Sequence, residues 1–162
     1  MPKKPKVGIL TAFRDLSPAY SLTGLVRDQA RSFKENDYDY AILAWSGFNR
    51  RDKEEVLKEG LVLRDVLSPG HLQAYAAHER EKPEFKEQVE IFYQGGKEGM
   101  GIKEAVEPYD VIITHDLMFL DCYLAVNQAI RKCIADYPKK RWLHWFHSGP
   151  SHRPEICDTV LD

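Results

Sequence analysis

Four short runs are apolar on both faces, and they constrain the fold more than any other feature of the chain. They are Lys6-Val7-Gly8-Ile9-Leu10-Thr11-Ala12, Tyr40-Ala41-Ile42-Leu43-Ala44-Trp45, Asp110-Val111-Ile112-Ile113-Thr114-His115 and Trp142-Leu143-His144-Trp145-Phe146-His147. A strand with one wet face alternates apolar and polar residues. A continuous apolar run belongs to a sheet covered on both sides, as parallel sheets between helix layers are. After the first run comes a loop holding Asp15, Ser17, Pro18, Ser21 and Gly24. A helix follows, with Leu22, Val26, Ala30 and Phe33 on its core face and Arg27, Arg31 and Lys34 expected on the wet one. Strand, loop, helix, strand is the unit of a parallel sheet. The expected fold is therefore α/β: a twisted parallel sheet flanked by helices, with the first run central and the other three its neighbours or near neighbours.

The stretches between these runs read less clearly. Asp52 to Glu59 predicts a short helix stopped by Gly60, and Leu61 to Leu67 holds a third strand. Leu72 to Glu81 has helical character, interrupted at Pro83. Phe85, Val89 and Phe92 then mark one helical face before Gly95-Gly96. Ile102 to Val106 predicts another short helix, and Leu117 to Tyr137 a long one ended by Pro138. Gly95-Gly96-Lys97-Glu98-Gly99-Met100-Gly101 lacks the order of a phosphate-binding P-loop: Lys97 precedes the last two glycines and no Ser or Thr follows. It reads as a flexible connection. No G-x-G-x-x-G follows the first strand, which argues against a plain NAD dehydrogenase.

The 162 residues are enough for one domain with a real core. Lys and Arg total 23 against 25 Asp and Glu, a net charge of -2, so no electrostatic signal points to nucleic acid or an anionic membrane as main partner. No apolar run approaches the roughly 20 residues of a membrane span, and Val7 to Leu10 is too short for a signal-peptide core. Cys122, Cys133 and Cys157 lack CxxC spacing and read as free thiols of a cytoplasmic protein.

In an open parallel sheet, ligands gather beyond the carboxyl ends of the strands. That rule selects Phe13, Arg14 and the loop to Gly24, then Ser46 and Gly47, then His115 and Asp116, then His147, Ser148 and Gly149. His115 and Asp116 are suited to hydrogen-bonding the hydroxyls of a polar ligand or holding a proton, and Asp116 is equally placed to cap the following helix. The two roles are compatible. His147 ends its strand and should point out of the sheet edge, whereas His144 lies inside the strand as a core histidine. A zinc site at His144, His147 and His152 is disfavoured, because an odd separation puts the first two on opposite faces of a strand. Trp142, Trp145 and Phe146 read most simply as core.

Two segments carry a family resemblance. Lys6 to Trp45, with "LVRDQARSF" in its helix, and Tyr109 to Pro150, "YDVIITHDLMFLDCYLAVNQAIRKCIADYPKKRWLHWFHSGP", resemble the N-terminal domain of retaining GT-B glycosyltransferases. That large family includes sucrose and mannosyl transferases. Together the segments cover about half the chain. The resemblance implies a single Rossmann-like domain over residues 1–162, one half of a GT-B fold. A donor-binding domain, absent here, would come from further chain or from a separate chain. It implies a small-molecule or glycan acceptor, a nucleotide-sugar co-substrate, and neither metal nor tightly bound cofactor. By resemblance, His147 is the catalytic histidine beside the transferred sugar. His115, Asp116 and Ser148 face the acceptor, and Thr23 and Gly24 occupy the loop near the donor phosphates. The family usually has two glycines there; Thr23 stands at the first. A flavodoxin-like binding or regulatory module without catalysis is the alternative.

Overall fold

The structure, a computed structural model, describes residues 3–13, 16, 21–45, 50–66, 79–97, 99–118 and 123–147. Its main sheet has five parallel strands: β1 (Val7–Thr11), β2 (Tyr40–Trp45), β3 (Leu63–Val66), β6 (Val111–His115) and β7 (Arg141–Trp145). Their order is β3-β2-β1-β6-β7, with every pair in it parallel. The first apolar run is thus central, as its two apolar faces require. β1 and β2 are buried along their whole lengths. Setting aside the small hairpin, this is the 3-2-1-4-5 order of Rossmann-like sheets and not the 2-1-3-4-5 order of flavodoxin-like ones. The flavodoxin-like form of the alternative reading is corrected accordingly.

Two helices, α1 (Ser21–Glu35) and α2 (Arg50–Lys58), lie on one face. Val26 and Ala30 of α1 and Val56 of α2 pack there on Ile9, Ile42, Ala44 and Ile113. Three helices cover the other face: α3 (Pro83–Gln94), α4 (Ile102–Val106) and α5 (Leu124–Asp136). Phe85, Val89 and Phe92 of α3 and Leu124, Ala129, Ile130 and Cys133 of α5 meet Leu10, Leu43 and Ile112 there. Pro83 opens α3 rather than interrupting it, since a first-turn residue needs no backbone N–H.

Several expectations need correction. Arg27 does not face solvent; it is buried, donates from Nη1 to the Leu16 carbonyl at 3.0 Å and pairs with Glu59. Glu59 also accepts from Arg31, so one carboxylate ties α1 to the end of α2. The glycine-rich segment is not a loose connection. Gly95–Gly96 (β4) and Gly99–Met100 (β5) form a two-stranded antiparallel ribbon. A Cβ on Gly101 would lie 2.3 Å from the Gly95 nitrogen, so only hydrogen fits between the two backbones. The last long helix begins at Leu124, not Leu117.

β7 is the sheet's edge. Its even-numbered side chains turn toward the α3–α5 layer, where Trp142 packs on the core. On the other face α1 and α2 pack on the inner strands, and among the described residues no helix covers β7 there. Leu143, Trp145 and Phe146 are 49%, 42% and 50% exposed, so two of the three aromatics expected in the core stand on the surface. Among the described residues no helix is long and apolar enough to cross a membrane. The Leu72 to Glu81 helix, most of the loop before Ser21, Arg14, Ser46, Gly47, Cys122, His152 and Cys157 lie wholly or largely outside the described residues.

Candidate functional site

β1 and β6 are adjacent, but their crossovers run to opposite sides of the sheet. In open α/β sheets, ligands bind at the carboxyl edge beside such a switch point. His115 is the last residue of β6 and sits at that point, in register with Thr11 of β1 and Trp145 of β7. Odd-numbered residues of β6 face α1. The His115 ring is therefore enclosed by Phe13, Trp145, His147 and α1, and the residue is fully buried.

His115 and His147 form the centre of the site. Their rings lie edge to edge and nearly coplanar, with centroids 5.1 Å apart and 7° between planes, and His115 Nδ1 lies 2.8 Å from His147 Nε2. On its other side, His115 Nε2 is 3.0 Å from Oε1 of Gln29, which reaches across from α1. Burial, and then the neighbouring His147, push the His115 imidazole down to about 4, against a smaller upward pull from Asp116. His115 is thus neutral at pH 7: one ring nitrogen carries a proton and the other accepts.

Asp116 holds the pair together. It adopts a left-handed backbone with φ of 58°, which Asp tolerates better than most residues. Its N–H donates to the Trp145 carbonyl at 3.0 Å, continuing the β6–β7 ladder by one bond. Its Oδ1 accepts from the His147 backbone N–H at 2.8 Å. A side chain thereby replaces the next ladder acceptor and carries His147 up beside His115. Asp116 is not the N-cap of α5, which starts eight residues later with Tyr123 in that position.

The structure therefore joins His115, Asp116 and His147, three of the residues selected by the strand-end rule. Ser148 lies outside the described residues. Thr23 and Gly24 lie in the first turn of α1, not in a loop, because the helix already starts at Ser21. Thr23 is fully buried, and a Cβ added at Gly24 would meet nothing within 4 Å. Both are more than one helical turn from Gln29. His144 faces the opposite way, its Nδ1 2.8 Å from Thr114 Oγ1. A cavity of about 420 Å³ bordered by Asp110, Asp136, Tyr137 and Lys140 lies at the amino-terminal end of β6 and β7, away from the histidines. Among the described residues, no three His, Cys, Asp or Glu side chains converge as metal ligands.

Two contributors were not anticipated. Gln29 is a polar residue bordering the apolar stripe of α1, between Val26 and Ala30, and that position was its only signal. Trp145 presents an exposed indole 6.0 Å from the His147 ring. No family model, no curated protein and no solved structure matches the chain. The site's meaning rests on its own chemistry.

Proposed function

We propose that the chain is the acceptor-side domain of a GT-B-type glycosyltransferase, moving a sugar from a nucleotide sugar to a hydroxyl. The observation that carries this reading is the hydrogen-bonded His115–His147 pair at the carboxyl edge of β6 and β7. A neutral imidazole at a strand end is suited to hydrogen-bond a sugar hydroxyl or to take its proton. Trp145 adds an apolar wall beside it, and a pyranose ring offers an apolar face to stack on an indole. An exposed, aromatic-lined wall at the strand ends suits half of a two-domain cleft better than a self-contained module. In this reading His147 contacts the reacting sugar, His115 and Asp116 hold it in place, and a second domain binds the donor. In this reading the first turn of α1, with Thr23 and Gly24, faces the donor phosphates with the positive end of its helix.

Saturation-transfer NMR with a panel of mono- and disaccharides tests the acceptor side. Transfer from the protein to saccharide ring protons, lost in His147→Ala, is expected. A panel in which no saccharide receives saturation would overturn the reading. A radiolabel-transfer assay on the 162-residue chain tests the missing half, since acceptor alone cannot be held in reacting geometry with a donor. No turnover is expected; clear turnover would show that the chain needs no second domain.

A further inference from the structure

Gln29, His115 and His147 form a directional hydrogen-bond chain running from α1 to the strand ends. We propose that Gln29 and His115 are positioning residues that hold His147 as its Nε2–H tautomer, leaving Nδ1 as the acceptor the site presents to a ligand hydroxyl. The word hydroxyl rests on the glycosyltransferase reading; the tautomer assignment does not.

The direction follows from the partners. The Gln29 oxygen at 3.0 Å only accepts, so the proton of the neutral His115 ring sits on Nε2. His115 Nδ1 is then an acceptor. The His147 nitrogen 2.8 Å away, Nε2, must donate to it. In neutral His147 the remaining nitrogen, Nδ1, carries the lone pair. Neither His147 Nδ1 nor the Gln29 amide nitrogen has a hydrogen-bond partner among the described residues. Asp116 Oδ1 accepts from the His147 backbone N–H, which fixes the backbone of that residue without using a ring nitrogen. An inert structural pair would need no such direction. Here the atom that Gln29 presents at the buried end, its carbonyl oxygen, decides which nitrogen faces outward at the other.

Long-range ¹⁵N–¹H NMR on the labelled chain separates protonated from unprotonated ring nitrogens at each histidine. At a pH where His147 is neutral, both His115 and His147 are expected as Nε2–H tautomers. In Gln29→Leu, which removes the acceptor, His115 should lose its single tautomer and His147 should follow. In Gln29→Glu, which keeps an oxygen acceptor, both should stay as in the wild type. Saccharide affinity, measured by titration, should fall several-fold in Gln29→Leu and recover in Gln29→Glu. A wild-type spectrum with Nδ1–H on His147 overturns the proposal, and that spectrum decides even if Gln29→Leu does not fold. Unchanged tautomers in a folded Gln29→Leu overturn it as well. Correct tautomers without saccharide binding would instead count against the glycosyltransferase reading alone.

Discussion

The two faces of β6 and β7 each carry a histidine contact, and the two contacts are built for different ends. On the side of α3, α4 and α5, His144 meets the Thr114 hydroxyl, one short bond in the body of the sheet. On the side of α1, His115 meets a second imidazole and a glutamine, at the last rung of the ladder and beyond. Burial lowers the pKa of both His115 and His144, so desolvation does not distinguish them. Position does: His144 lies inside the edge strand, whereas His115 ends its strand and its hydrogen bond leads on to His147. The lesson is that a buried histidine is informative when its hydrogen bonds lead to an open atom.

The largest expected effect is on acid stability, and it strengthens the likeness between the two faces. The folded His115 takes its proton near 4 and the unfolded one near 6.5. The stability this histidine's neutral form confers is complete above 6.5. It is lost as pH falls toward 4, because the unfolded chain binds the proton first. The loss should reach about 3 kcal/mol, with His144 adding in the same direction. Urea unfolding from pH 7 to 4.5 checks it, and His115→Gln should flatten the curve. An equally steep curve in that variant would assign the acid sensitivity elsewhere.

The next effect separates the faces. His144→Ala should cost roughly 2 kcal/mol, through lost packing and the stranded Thr114 hydroxyl. His147→Ala, at the rim, should cost less than about 1 kcal/mol of stability. It should nevertheless weaken saccharide binding, or turnover in an assembled two-domain enzyme, by roughly ten-fold, about 1.4 kcal/mol. Thermal melts and titrations on both variants decide. If His144→Ala is the one that loses binding while His147→Ala only melts early, the assignment of the two faces is reversed.

A smaller effect sharpens the role of Asp116. Asp116→Asn keeps an oxygen for the His147 N–H and a side chain tolerant of positive φ, and should melt within a few degrees of the wild type. Asp116→Ala loses the acceptor and adds strain at φ of 58°, for a cost of about 1–2 kcal/mol. The ¹⁵N resonances of His147 should move in the alanine variant and stay in the asparagine one. The smallest effect lies deep on the α5 side, where burial pushes the Cys133 thiol up to about 12. Cys133 should resist a neutral-pH thiol reagent until the chain is unfolded. Prompt labelling would mean that α5 opens locally.

What the sequence determined by itself was the layer plan. Runs apolar on both faces, such as Ile42-Leu43-Ala44, have no stable place but a sheet covered by helices, and a helix between two such runs makes them parallel. The same logic put His115, Asp116 and His147 at the carboxyl edge, because a chain position at a strand end is a local property. Tertiary structure decided the rest. Whether an apolar strand is central or at the edge depends on which crossovers turn which way, so Trp145 and Phe146 could not be read as exposed from their own neighbourhood. Whether Arg27 is wet depends on a carboxylate 32 residues away. The Gln29–His115 bond joins residues 86 apart on a helix and a strand. The direction of the hydrogen-bond chain exists only once those elements are packed, because it depends on which atom each partner presents across the gap.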